Sequence, residues 1–394
     1  MNSRHTVNNT SKKANVRPKK FSLFPLTQTL SKIYLEPTAQ CNLQCRTCLR
    51  NSWDEIIGAM DIKVYRKLLA DLEEMPTLNT IAFWGIGEPL FHPDIVTMVA
   101  LAHKKGLQTE IITNGHLLDQ DMAHRLIEAG LDILVVSVDG TDQASYQEIR
   151  SGGDLLLVEK NIKTLNRQRA KMGRKHPDVG LEFVITKSNI TRLPDLAHTA
   201  QSMEAKFIIL SNLLPCTEDM KDEITYWISA TINEKEELPK KSDELIFPRM
   251  DMRLEYLTPF MELLKRLDKP MPDVLDLDQE YCCPFIQKGS AAISWSGEVS
   301  PCIALMHSYS CYILGRQKRI RKYSVGNIAQ EKFGVIWNKE KYRSFRERVS
   351  NFDFSPCVQC SGCNYSETNE QDCFGNSHPV CGDCLWARSV LLCP

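Results

Sequence analysis

Between residues 32 and 212 the chain alternates short aliphatic and β-branched runs with longer stretches of helical spacing. The short runs cover 33–36, 80–84, 108–112, 133–138, 181–186 and 207–210. Between them, apolar positions recur three or four residues apart: Tyr65, Leu68, Leu69 and Leu72; Val96, Val99 and Ala100; Met122, Leu126 and Ile127; Val158, Ile162 and Leu165. That spacing is one face of a helix, and strands alternating with such helices predict βαβ units around a parallel sheet. Six units predict an α/β fold of the partial (β/α)6, TIM-like barrel type.

Polar signals fall at the carboxyl end of each of the first four runs. They are Cys41 to Cys48 after the first, Gly85-Ile86-Gly87-Glu88-Pro89 after the second, Thr113-Asn114-Gly115 after the third, and Ser137-Val138-Asp139-Gly140 at the fourth. In a parallel sheet or barrel those ends share one mouth, where ligands bind. Taken singly, the glycines and Asn114 also read as turn residues and Ser137 and Asp139 as ordinary strand-end residues. His92 reads as a packing residue at a helix start.

The chain is organised around Cys41-Asn42-Leu43-Gln44-Cys45-Arg46-Thr47-Cys48. Positions 41, 45 and 48 also fit a helix stripe, but Leu43 is the only apolar neighbour and Pro37 sits just upstream. One loop can fold three thiols onto a single cluster. A cubane Fe–S cluster normally takes four thiolates, so three leave one iron open to another ligand. A structural zinc site wants a fourth ligand nearby, and His92 is the first histidine to follow. The pattern resembles the Cys-x3-Cys-x2-Cys signature of the radical S-adenosylmethionine (SAM) enzymes, with Thr47 where the family usually has an aromatic residue. The resemblance implies a 4Fe–4S cluster on Cys41, Cys45 and Cys48 whose open iron chelates SAM, cleaved reductively to a 5′-deoxyadenosyl radical. Gly87-Glu88-Pro89 resembles the family's Gly-Gly-Glu motif with Ile86 replacing its first glycine. A SAM pocket of Gly87, Glu88, Asn114, Ser137 and Asp139 is implied.

Composition adds a second module. Fifteen cysteines are present and eleven lie from Cys282 onward. An odd count with repeated Cys-x2-Cys spacing in a long chain points to metal rather than a disulfide framework. The formal charge of −1 favours neither nucleic acid nor an anionic membrane as partner. There is no basic-then-apolar leader and no apolar run of the ~18–20 residues that spans a bilayer, so the expected location is cytoplasmic. Residues 1–30 read as a basic tail, 31–212 as the barrel, 213–280 as a charged, proline-containing helical bridge, and 281–394 as a cysteine-rich domain. Cys216 reads as a structural thiol.

In that last domain a hairpin is expected over 292–300, ending at Cys302. The candidate ligands are Cys283, Cys302, Cys357, Cys360, Cys363, Cys373, Cys381, Cys384 and Cys393, with Cys282 and Cys311 as bystanders. Spacing alone leaves a four-thiolate zinc ribbon open beside iron–sulfur clusters. Cys283, then Gly297-x4-Cys302, then a late cysteine cluster resembles the SPASM domain, which implies auxiliary 4Fe–4S clusters, two by thiol count. The gaps around Cys363, Cys381 and Cys384 depart from that pattern, so the ligand sets stay unassigned. Leu35-Glu36-Pro37-Thr38, Gly326-Asn327-Ile328, Phe352 to Cys357, Asp372 to Asn376 and Cys381 to Ala387 resemble a narrower subgroup. Its members are radical SAM proteins described as cofactor-modifying partners of tungsten-dependent aldehyde:ferredoxin oxidoreductases. The implied partners are a low-potential donor (ferredoxin or flavodoxin) and either a peptide or protein substrate or a pterin-type cofactor such as that of a tungsten enzyme. A non-enzymatic metal-binding scaffold is the alternative. The basic run 316–322 reads as a solvated hairpin tip or as a dock for an acidic donor.

Overall fold

A computed structural model describes residues 29–231, 244–269, 283–360 and 362–393. The basic tail through residue 28, the charged residues at 234–241, Pro270, Pro272 and Cys282 lie outside the described residues. Six strands form where the apolar runs predict them: β1 (Lys32–Leu35), β2 (Thr80–Phe83), β3 (Gln108–Thr113), β4 (Ile133–Ser137), β5 (Asp178–Ile185) and β6 (Phe207–Asn212). A two-residue β7 (Leu245–Ile246) continues the sheet beyond β6. All seven pair in parallel in chain order. These strands are covered on both faces: Ile33, Leu35, Ile81, Ala82 and Phe83 are wholly buried and Tyr34 nearly so.

The intervening helices are α1 (Ile62–Asp71), α2 (Ile95–Lys104), α3 (Gln120–Ala129), α4 (Gln143–Ile149), α5 (Leu155–Lys171) and α6 (Leu193–Ser202), and α7 (Leu254–Arg266) follows β7. Their starts are set by side-chain caps: Asp61, Asp119, Asp142 and Asp154 each accept a bond from a first-turn backbone N–H. Gly130 ends α3 in the left-handed conformation, φ 83°, which a residue with a Cβ adopts reluctantly. The expected stripes are buried on α1 (Tyr65, Leu68 and Leu69) and α5 (Val158, Ile162 and Leu165), whereas α2 buries Ile95, Met98, Val99 and Ala102 and leaves Ala100, expected inside, exposed.

The sheet does not stop at β7. The expected C-terminal hairpin forms as β8 (Ser290–Ile293) and β9 (Glu298–Ser300), turning at Gly297, φ 85°. Strand β8 pairs in parallel with the free side of β1, Lys32 opposite Ser290 and Leu35 opposite Ile293. One sheet of ten strands therefore runs through both halves of the chain, and β1, which leads into the cysteine loop, lies inside it. A separate hairpin, β10 (Tyr309–Ile313) with β11 (Arg316–Ile320), packs beside it, and β12 (Gly326–Asn327) closes the sheet's edge against β9.

The run 316–322 is not a solvated tip. The turn is Leu314-Gly315, and Lys318 is 2% exposed with its Nζ 2.7 Å from both oxygens of Asp383. Arg319, Arg321 and Lys322 pair with Asp54, Glu370 and Glu298. These cations already have acidic partners within the chain, which removes the argument for an external acidic one. Residues 389–392 lie along the carboxyl end of β6: Asn212 Nδ2 donates to the Val390 carbonyl and Leu392 N–H to Ser211 Oγ. Among the described residues no helix is long and apolar enough to cross a membrane.

Candidate active site

The cysteine loop leaves the end of β1 and is folded back by its own polar residues. Thr38 Oγ1 donates to the Gly58 carbonyl at 2.8 Å and accepts from Gln40 N–H at 3.0 Å. The Gln44-Cys45 backbone pairs antiparallel with Arg150-Ser151, which ties the loop to the end of α4. Each of the three sulfurs meets a donor. Cys41 Sγ receives Leu43 N–H at 3.4 Å and Asn114 Nδ2 at 3.8 Å. Arg150 Nη1 reaches Cys45 Sγ at 4.0 Å, and Arg50 Nε reaches Cys48 Sγ at 3.4 Å. Burial pushes the Cys41 thiol up and the Cys45 thiol up to about 11, against the opposing charges of Arg50 and Arg150 respectively. Deprotonating such thiols is work that a bound metal does.

The second loop is laid backbone to backbone on the first. Glu88 N–H donates to the Gln40 carbonyl at 2.8 Å. A Cβ on Gly87 would stand 2.2 Å from the Thr38 carbonyl oxygen and 2.6 Å from that of Gln40, so only glycine fits. Ile86, at the position that departs from the motif, has its N–H on Glu36 Oε1 at 2.9 Å, and Gly85 leaves room for that carboxylate. The Glu88 carboxylate is buried and accepts from Thr113 Oγ1 (2.6 Å), Asn114 N–H (2.7 Å) and Leu90 N–H (3.0 Å). Burial raises its pKa and those bonds oppose the rise. The loops after β1, β2 and β3 are thus one bonded unit.

Ser137 and Asp139 stand at the same mouth and make protein contacts. Ser137 Oγ donates to Glu182 Oε2 at 3.1 Å. Asp139 is 2.8 Å from Arg150 Nη2 and accepts Val184 N–H at 3.0 Å, so its role in this geometry is to aim Arg150 at Cys45. Among the described residues three buried polar atoms of this group make no hydrogen bond: Arg150 Nε, Tyr146 Oη and Asp139 Oδ2, the last engaged in the ion pair with Arg150. Sequence reasoning missed Arg50, Arg150, Tyr146 and Glu182. Arg50, two residues past Cys48, carried the only local signal. Burial, with the nearby Asp139, pushes Glu182 up to about 7. A further group joins the two halves: His307 bonds Glu36 Oε2 at 2.8 Å and Glu55 Oε2 at 2.9 Å. Its burial lowers its pKa, but these two carboxylates outweigh that and hold it at about 9. His92, as expected, is a packing residue, buried with Nε2 2.9 Å from the Met60 carbonyl.

The late cysteines fall into two neighbourhoods. Cys283, Cys302, Cys381 and Cys384 line one largely apolar cavity of about 60 Å³, and they act on one another electrostatically. Cys311, expected to be a bystander, lines the same cavity and is buried. Cys393 Sγ receives Trp386 Nε1–H at 3.0 Å, and Glu182 and Lys32 of the barrel act on it electrostatically, as does Cys384. Cys357 is buried, with Arg316 bonding its carbonyl at 3.4 Å and that of Cys360 at 2.6 Å. Asp372 ties Ser355 to the turn that carries Cys373. Cys360 and Cys373 are exposed and Cys363 is half-buried. Among the described residues no three Cys, His, Asp or Glu side chains converge as on a single metal ion. A cubane holds its thiolates further apart, on separate irons.

Residues 35–172 match the radical SAM superfamily, and residues 282–364 match the SPASM iron-sulfur cluster-binding domain. Over 92% of its length the chain is 34% identical to a Pyrococcus furiosus protein, covering 96% of that protein. With the three-thiol loop at the mouth of a parallel barrel, these likenesses place the chain in the radical SAM superfamily, as an enzyme with a SPASM domain that uses SAM and iron–sulfur clusters. The Pyrococcus relative is the tungsten-containing aldehyde ferredoxin oxidoreductase cofactor-modifying protein. Among solved structures the fold is shared with Streptococcus suis SuiB bound to its precursor peptide SuiA. The TM-score is 0.56 at 15% identity, covering 81% of this chain and 67% of that one. It is also shared with anSMEcpe bound to AdoMet, TM-score 0.55 at 16% identity, covering 92% and 93%.

Proposed function

We propose that the chain cleaves SAM reductively at Cys41, Cys45 and Cys48 and uses the product radical to modify a pterin-type cofactor, as borne by a tungsten enzyme. The observation that carries the site is the loop whose three sulfurs each meet a donor, with Arg150 Nε and Tyr146 Oη beside it making no hydrogen bond among the described residues. Cys41, Cys45 and Cys48 would hold a 4Fe–4S cluster, which would supply the electron for reductive cleavage of the C5′–S bond of SAM. The residues supply the rest. Arg150, charged and held by Asp139, offers its free Nε to the methionine carboxylate of SAM, and Tyr146 Oη offers a second donor. The Gly87–Glu88 backbone, pressed on the cysteine loop, receives the methionine amino group. Ser137 and Asp139 take the ribose side of the pocket, Asp139 through the group it aims. The half of the chain that carries β8 to β12 covers the mouth and excludes water from a carbon radical.

The substrate class rests on the Pyrococcus relative, 34% identical over nearly the whole chain. The electron donor is of the ferredoxin or flavodoxin class. Cys283, Cys302, Cys381 and Cys384 would hold one auxiliary cluster. Cys357, Cys360, Cys363 and Cys373 would contribute to a second, nearer the surface, with Cys393 outside both sets.

Iron, sulfide and zinc contents of anaerobically reconstituted wild type and of the Cys41, Cys45 and Cys48→Ala triple variant test this. About twelve irons falling to about eight is expected, one cubane of four lost and two kept. About four irons falling to none with zinc retained would reduce the second module to a structural zinc site. If the triple variant still forms 5′-deoxyadenosine from SAM, the catalytic assignment is wrong.

A further inference from the structure

Two guanidiniums flank the cysteine loop, and their circumstances differ. Arg150 lies 2.8 Å from the Asp139 carboxylate, so its charge is compensated before any thiolate forms. Arg50 has no such partner: among the described residues no carboxylate stands within ion-pair distance of it. Its Nη2 donates to the Leu43 carbonyl at 2.6 Å and its Nε to Cys48 Sγ at 3.4 Å. One planar fork therefore spans the loop from residue 43 to residue 48, and the groups whose charge acts on it are Cys48, Cys41 and Cys45. The half-buried position limits screening by water.

Resting on the reading of Cys41, Cys45 and Cys48 as the catalytic cluster's ligands, we propose that Arg50 is a positioning residue that sets that cluster's reduction potential. A hydrogen bond and an uncompensated positive charge at a ligand sulfur favour the reduced state, which carries one more negative charge. Arg50 thereby brings a cluster on three thiolates within reach of a soluble donor, while its second bond keeps Leu43 and the loop in place. Lysine at this position keeps the charge and loses the fork. Methionine loses both and keeps the bulk.

The test is a potentiometric titration of full-length, reconstituted protein, following the reduced-cluster EPR signal that changes when SAM is added. Iron content is measured on the same samples of wild type, Arg50→Lys and Arg50→Met. With iron unchanged, Arg50→Met should titrate lower, so that at the wild-type midpoint its reduced-to-oxidised ratio falls about tenfold, about 59 mV for one electron. Arg50→Lys should fall between. Wild-type midpoints in both variants overturn the proposal. Loss of the catalytic iron in both also overturns it, because Arg50 would then be an assembly brace. A wild type without any SAM-responsive signal would instead sink the cluster assignment on which it rests.

Discussion

At the scale of single residues, the site depends on backbone contacts as much as on side-chain chemistry. Gly87 is the clearest case, since a methyl group there collides with two carbonyls of the cysteine loop. Overpacking typically costs about 1–3 kcal/mol, and here the strain would lift the second loop off the first. Gly87→Ala is therefore expected to lower 5′-deoxyadenosine formation at least about tenfold (~1.4 kcal/mol) while keeping the C-terminal iron. Wild-type turnover in that variant would contradict the drawn contact. The sequence showed the cysteine loop because three thiols lie within eight residues. Arg150 was not legible: its importance comes from Asp139, eleven residues back, and from a two-residue backbone pairing with the loop itself. Tyr146 was hidden for the opposite reason, as an ordinary helix residue whose hydroxyl happens to face no partner.

At the scale of elements, strands were legible as short apolar runs and helices as apolar positions three or four residues apart. The β10–β11 hairpin was not. Its run of cations looks like a wet surface, whereas Lys318 lies under the strand against Asp383, between Cys381 and Cys384. Sequence cannot distinguish a solvated cation from one whose acid arrives sixty-five residues later. Removing one member of a buried pair leaves the other uncompensated and costs about 3–5 kcal/mol. Arg316 remains 3.3 Å from Asp383, so Lys318→Met should sit near the lower end. Anaerobic urea unfolding would measure this, and pairing it with Asp383→Asn should recover part of the loss. A double variant no better than the single would mean that the lysine acts through packing alone.

For the whole molecule, His307 joins the C-terminal half to the barrel between Glu36 at the end of β1 and Glu55 beyond the cysteine loop. Its pKa is about 9 when folded against 6.5 as an unperturbed group. A raised folded value makes this contribution full below pH 6.5 and removes it as pH climbs through about 9. The difference corresponds to roughly 3 kcal/mol. His307→Gln should therefore lose stability to urea by about that amount below pH 6.5 and approach wild type above pH 9. A pH-independent loss would show that the imidazole serves by shape rather than charge.

The parallel pairing of β1 with β8 also has a consequence in time. Lys32 and its partner Ser290 are separated by 258 residues (290 − 32). At ~5–20 residues per second, a ribosome makes that partner some ten to fifty seconds after β1. During that interval the strand leading into the cysteine loop has one bare edge, the kind that recruits other chains. A chaperone that shields β1 until β8 arrives should therefore raise the yield of folded, unaggregated protein.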